Sequence, residues 1–241
     1  MRDRSHDLLR VASWRGDPKI ALLTTLPGQP SPGRRELERT LETLAASGYE
    51  VVLTGALDVA AQRPYLTAGF EAHARLHVLG RPLDDLPPPT ERWPLHLARR
   101  RDREQVHDVD TAAFSPFWHL GEAGLDDALA ATPEARFRVA RDDRVVGYAI
   151  SGCAGRQGYI QRLAVHPERR RAGLGAALVL DGLAWMRRRG ADDAVVNTQV
   201  DNNAALALYD HLGFRLRGPG LRVLRRALAS SAQVLVPGGD A

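Results

Sequence analysis

Cysteine is nearly absent: Cys153 is the only one in 241 residues. That excludes a disulfide within the chain and a metal centre built from several thiolates. Histidine offers no substitute, because His73, His77, His96 and His107 lack metal-ligand spacing. No metal is therefore expected. Long apolar runs are missing too, and the opening MRDRSHDLLRVASW has no apolar core of a secretory signal. The expectation is a cytoplasmic protein without a membrane partner, monomeric or homodimeric. Lysine is almost absent, with Lys19 alone, so the net charge of +4 is carried by arginine. Arginines cluster at 99–101, 169–171, 187–189 and 222–226. Acidic residues are interspersed and aromatics, 6% of the chain, do not interleave. This pattern argues against a nucleic-acid partner. What remains, 44% hydrophobic and 26% charged residues, is the composition of a chain that builds a core.

The most informative stretch is His166-Pro167-Glu168-Arg169-Arg170-Arg171-Ala172-Gly173-Leu174-Gly175-Ala176. An apolar run, Ile160 to Val165, leads into it and an amphipathic pattern, Ala176 to Met186, leads out. The order is strand, basic turn, glycines, helix. Such a turn gathers free backbone N–H groups at a helix N-terminus, which suits a phosphate-bearing ligand. Glycine removes side chains that would block close approach.

Read in order, the pattern predicts a strand over Ile20–Thr25 and a helix over Arg34–Ala46 that Gly48 ends. A strand over Glu50–Thr54 follows, then a helix over Ala60–Ala68 that Pro64 should kink or shorten, then closing strands from Phe70 to Leu79. Arg81-Pro82-Leu83-Asp84-Asp85-Leu86-Pro87-Pro88-Pro89-Thr90 reads as a stiff connection. Beyond it come a strand at Leu95–Ala98, a helix over Asp102–Phe114 with Asp102 as N-cap, and a helix over Leu120–Ala131. A hairpin of Phe137–Ala140 and Val145–Ser151 precedes the strand Tyr159–Val165. The helix Leu174–Arg188, strand Ala194–Thr198, helix Ala204–His211 and strands Phe214–Arg217 and Leu221–Arg225 complete the order. The fold class is α/β (α+β), a mixed central sheet flanked by helices. The expected domains are 1–80, a linker at 81–93, a second domain at 94–227 and a tail at 228–241.

The chain also repeats itself. Under a shift of 144 residues, Val51, Val52, Thr54, Ala60, Ala61, Tyr65, Gly69 and Phe70 fall on Val195, Val196, Thr198, Ala204, Ala205, Tyr209, Gly213 and Phe214. Element order matches as well, so two copies of related architecture are expected.

Two motifs now stand together: Arg170, Gly173 and Gly175 in the basic turn, and Asn202, Ala205, Leu208, Tyr209, Gly213 and Phe214 downstream. In that order and spacing, across about residues 95–226, the chain resembles the GCN5-related N-acetyltransferases (GNAT superfamily). The resemblance implies the acyl-CoA N-acyltransferase fold, in tandem with a truncated, degenerate N-terminal copy. It implies acetyl-CoA as co-substrate and transfer of its acetyl group to a primary amine by direct attack. The acceptor would be a small-molecule amine or a peptide N-terminus. The cofactor-binding positions carried over are Leu163, Ala164, Val165, Arg170, Arg171, Ala172, Gly173, Leu174, Gly175, Ala176 and Asn202. The strand before the turn would lend backbone hydrogen bonds to the pantetheine arm, where it splays from the strand after the long helix. Tyr209 would be the catalytic acid that protonates the departing thiolate; the alternative is a tyrosine packed beside Phe214. Phe117, Trp118, His119, Glu122 and Gln161 fall on the acceptor wall.

Two departures from the family pattern stand out. Many relatives carry a glutamate on the strand before the turn, where this chain has Gln161, which cannot take a proton. His119, Glu122 or a relayed water are left for that task. A non-catalytic acyl-CoA-binding or regulatory module of the same fold is the alternative. In the N-terminal copy the turn is replaced by a segment containing Pro27, Pro30 and Pro32, which removes backbone donors, so no acyl-CoA site is expected there.

Overall fold

The computed structural model describes residues 9–25, 29–88 and 92–228. They fall into two units. One comprises the described residues of Met1–Leu76 and Pro219–Ala241, the other His77–Gly218.

In the first unit, β1 (Leu9–Ser13) pairs antiparallel with β2 (Ile20–Thr25). Helix α1 (Arg34–Ala46) buries the expected stripe of Leu37, Leu41 and Leu44, and Gly48 at φ 88° ends it. Strand β3 (Val51–Leu57) lies parallel to β2. Helix α2 (Val59–Thr67) keeps nine residues in spite of Pro64, so the expected shortening does not occur. Its N-cap Asp58 accepts from Ala61 N at 2.9 Å. Strand β4 (Glu71–Pro82) carries the chain from the first unit into the second.

The second unit opens with β5 (Leu95–Leu97). Helix α3 (Arg103–Ala113) ends one residue inside each expected bound, with Asp102 and Phe114 as its caps. Asp102 holds the N-cap position without capping through its side chain; the carboxylate instead accepts from Arg99 N at 2.6 Å and pairs with Arg141. Helix α4 (Glu122–Ala130) starts two residues later than the pattern suggested, because Asp110 of α3 draws Leu120 N to 2.6 Å. Strands β6 (Glu134–Arg141), β7 (Val145–Ala154) and β8 (Gln157–Val165) form an antiparallel meander. Helix α5 (Leu174–Arg188) has the predicted bounds, and β9 (Asp193–Gln199) lies parallel to β8. Helix α6 (Asn203–His211) and the two-residue β10 (Arg215–Leu216) close the unit. The strand order is β4, β9, β8, β7, β6, β5, with β10 also on β4. Val139, Tyr148 and Ile150 pack with α3 and α4, while Ala149 packs with Leu174 and Leu178 of α5. The two sets of helices therefore cover opposite faces of the sheet.

Strand β11 (Leu221–Ala227) pairs with β3 and with residues 71–76 of β4, which places it in the first unit. The sequence expectation had grouped it with 94–227. That expectation followed chain order, whereas partner choice in a sheet is a long-range matter. The linker expected from residue 81 likewise begins inside β4. Residues 229–241 of the expected tail lie outside the described residues. Among the described residues no helix is long and apolar enough to cross a membrane.

Candidate active site

Strands β8 and β9 pair only from Gln157↔Asp193 to Ile160↔Val196. Both continue, β8 to Val165 and β9 to Gln199, without further pairing. The sheet therefore opens along the second half of β8. His166 N donates to Val146 O at 2.9 Å, which sets the alternation on the β7 side. By that alternation Leu163 and Val165 turn their N–H and C=O groups toward the opening. Ala164, expected to act with them, instead turns its backbone groups toward β7, opposite Tyr148.

At the end of β8 the chain turns through Pro167–Arg169 and Arg170 into two left-handed residues, Arg171 at φ 62° and Gly173 at φ 81°. A non-glycine in that region is strained, a cost often found at functional sites. Gly173 is the N-cap of α5 and offers no side chain to its first N–H groups. Those of Leu174, Gly175 and Ala176 have no carbonyl partner inside the helix and, with the dipole, present a field suited to an anion. Trp93 braces the turn by donating from Nε1 to Ala172 O at 2.9 Å, and Arg170 reaches Ala113 O at 3.0 Å. The sequence expectation puts Trp93 only at the end of a linker; a lone indole beside Pro94 is the signal it offers.

Helix α6 closes on the same place. A Cβ added to Gly175 would lie 3.2 Å from Leu208 and 3.8 Å from Val165. The turn, the end of β8 and α6 thus meet where glycine leaves room. Asn202 caps α6 by accepting from Ala205 N at 3.2 Å. Asn202→Ala is expected to cost about 1 kcal/mol of stability, read from a urea midpoint; an unchanged midpoint would deny it the cap role. Tyr209, 4% exposed, meets Phe214 edge to face at 5.4 Å. No side chain among the described residues hydrogen-bonds its hydroxyl. Burial pushes its phenol pKa up, so the group is a proton donor, not an anion.

On the α3–α4 face the structure assembles a cluster that the sequence reading missed. Asp110, 1% exposed, accepts from Arg162 Nε at 2.8 Å, from Leu120 N at 2.6 Å and from the Tyr148 hydroxyl. Arg162 also donates to Trp118 O at 2.7 Å and lies over the Phe114 ring at 3.7 Å. It thereby ties β8 to the loop carrying the expected wall residues. Phe117 and Trp118 stack edge to face at 4.9 Å, and His119 Nε2 bonds Phe114 O at 3.0 Å. Glu122 begins α4. Gln161, the bulged residue of β8, turns over Gly152 to bond Thr132 Oγ1 at 3.0 Å, on the β7 side and away from the opening. Cys153 is buried and its thiol pKa is pushed up by burial, which disfavours a thiolate nucleophile.

The first unit repeats this frame with its two parallel strands paired further along. Asp58 caps α2 as Asn202 caps α6, and Tyr65 meets Phe70 at 5.4 Å. Under the 144-residue shift Val52 matches Val196, where the β8–β9 pairing ends. Strands β2 and β3 continue past that point through Leu22↔Leu53 and Leu23↔Thr54. The Tyr65 hydroxyl lies 3.4 Å from Thr25 Oγ1. Residues 26–28 of the proline-containing turn lie outside the described residues.

Comparison with known proteins agrees with this geometry. The model of the acetyltransferase (GNAT) family matches residues 103–214. A mycothiol acetyltransferase of Thermobispora bispora is 32% identical over 220 residues, covering 82% of this chain and 73% of that protein. One from Streptomyces coelicolor is 30% identical over 213 residues, covering 82% and 68%. Among solved structures, a tandem GNAT protein from the clavulanic acid biosynthesis pathway superposes with a TM-score of 0.66 at 16% identity, covering 92% of this chain and 78% of that one. The opened sheet, the glycine turn and these relatives lead to one conclusion: the chain belongs to the GNAT acetyltransferase family, with a second, GNAT-like copy in its N-terminal half.

Proposed function

We propose that the second unit transfers the acetyl group of acetyl-CoA to a primary amine. The observation that carries this reading is the parting of β8 from β9 after Ile160 and Val196, ending at the uncapped start of α5. The pantetheine arm would lie in that opening, on the backbone groups of Leu163 and Val165. The pyrophosphate would sit on the turn from Arg170 to Ala176, with Asn202 beside it. The neutral amine attacks the thioester carbonyl to form the C–N bond, the tetrahedral intermediate collapses with the C–S bond breaking as Tyr209 protonates the leaving sulfur, and the proton shed by the acylated nitrogen returns through water to the phenol. The wall of Phe117, Trp118, His119 and Glu122 would receive the acceptor.

The acceptor is a small amine or a peptide N-terminus. A panel of amines that includes compounds of the mycothiol class, after the name its relatives carry, suits the test. Release of free thiol from acetyl-CoA, followed with each amine, tests the reading. Binding of acetyl-CoA without turnover on any amine would favour a binding module instead. That second reading has one observation behind it, since β8, QGYIQRLAV, carries no carboxylate to serve as base. The site of the co-substrate is tested separately by Gly175→Val. The added carbons collide with Leu208, and acetyl-CoA affinity is expected to fall by about tenfold or more, measured by calorimetry. Unchanged affinity would place the co-substrate elsewhere.

A further inference from the structure

We propose that Arg81 is a positioning residue for Tyr209, a buried guanidinium that pins the C-terminal end of α6. The proposal rests on the reading of Tyr209 as the general acid. Arg81 is 9% exposed. Its Nη1 donates to Leu212 O, its Nη2 to Asp85 O and its Nε to Pro82 O. Among the described residues no carboxylate pairs with it. A buried charge without a counter-ion is costly unless other groups replace its water. Here the partners are main-chain carbonyls, and one of them, Leu212 O, belongs to the C-cap of α6. The negative end of the helix dipole and an otherwise orphaned carbonyl both favour a cation at that point.

The link from Leu212 to Tyr209 is short. Leu212 N donates to Leu208 O at 3.0 Å, Gly213 N to Asp210 O at 2.9 Å and Phe214 N to Tyr209 O at 2.9 Å. These bonds make residues 208–214 one closed turn. A Cβ on Gly213 would lie 3.2 Å from Arg81 Nη1, so the guanidinium sits directly against this turn. Leu79 and Leu83, on either side of Arg81, belong to the apolar cluster that holds Tyr209, Leu212 and Phe214. Leu83 N in turn donates to Asp192 O at 2.7 Å, just before β9. The other end of α6 is fixed by the Asn202 cap and by Leu208 against Gly175. Loss of the Arg81 contacts would leave the phenol end of α6 held by apolar packing and the short β10 pairing, without this polar anchor.

The first unit has a counterpart. Arg226 of β11 donates from Nη1 to Ala68 O, the C-cap of α2. Each helix is therefore clamped at its C-cap by an arginine from a strand of its own unit. Arg226 also provides the control, because it makes the same contact where no chemistry is proposed.

Steady-state kinetics of R81M, R81K, R226M, Y209F and the double variant R81M/Y209F test the assignment. R81M is expected to lower kcat by about tenfold to a hundredfold, the scale of a small misplacement, with KM for acetyl-CoA unchanged. R81K should lose less, and it carries the test if R81M does not fold. R226M should lower the melting temperature while leaving kcat intact. The double variant should be no slower than Y209F alone, because a misplaced acid matters only where the acid exists. Full activity of R81M and R81K, or losses that multiply in the double variant, would overturn the proposal. A Y209F protein as active as wild type would overturn the reading of Tyr209 itself, and that variant alone reveals it.

Discussion

Replacing Tyr209 by phenylalanine is expected to lower kcat by a factor of about 10² to 10⁴, the range for a positioned general acid, while the KM for acetyl-CoA stays the same. Three features make the substitution clean. The ring keeps its edge-to-face contact with Phe214. The hydroxyl has no partner among the described residues whose loss would leave a buried group unpaired. The site remains 4% exposed, so phenylalanine fits the same apolar cluster. The change therefore removes a proton donor and little else. Burial holds the phenol pKa above its ordinary value, so Tyr209 stays protonated through neutral and mildly alkaline pH. It should therefore produce no falling limb in the rate profile below about pH 10, the ordinary tyrosine pKa. Equal kcat values for Y209F and wild type would exclude Tyr209 as the acid.

The second large effect falls on stability. Asp110→Ala strips the buried Arg162 of its counter-ion, with side-chain exposures of 1% and 13% for the pair. Removing one partner of a buried ion pair costs roughly 3–5 kcal/mol. Leu120 N and the Tyr148 hydroxyl lose an acceptor in the same step. The total is a large part of the roughly 5–15 kcal/mol that holds a typical domain folded. The urea midpoint should fall steeply, and activity at room temperature with it. Asp110→Asn, which keeps an acceptor, should lose less. Removing both charges together, as in D110L/R162M, should recover part of the loss, because the unpaired cation is then gone. A midpoint for D110A within about 1 kcal/mol of wild type would mean that Arg162 finds other partners.

The elements nearest the opening were the most legible in the sequence. Helix α5 took its predicted bounds because its start and end are local events, a left-handed Gly173 and Gly190 at φ 87°. The Asn202 cap and the turn from Tyr209 to Phe214 are local too, and their repetition at Asp58 and Tyr65 made them visible twice. Long-range choices were not legible. Nothing in Leu221–Ala227 names β3 and residues 71–76 as partners. Asp110 and Arg162 are 52 residues apart, and each alone reads as an ordinary surface charge. The backbone direction of Ala164 depends on which strand it pairs with, which alternation of side chains does not reveal.

The parted strands also bear on how this molecule responds to what it binds. In the first unit β2 and β3 are laced two rungs further, and the Tyr65 hydroxyl stands beside Thr25. In the second unit the corresponding rungs are left unmade. Each backbone hydrogen bond adds about 0.5–1.5 kcal/mol net, so the open copy forgoes a small share of its own cohesion. A molecule lying along β8 would supply hydrogen bonds in place of the missing strand, acting as a temporary rung of the sheet. Its binding should therefore tighten the second unit and leave the first unmoved, and the chain carries its own unresponsive twin as an internal standard.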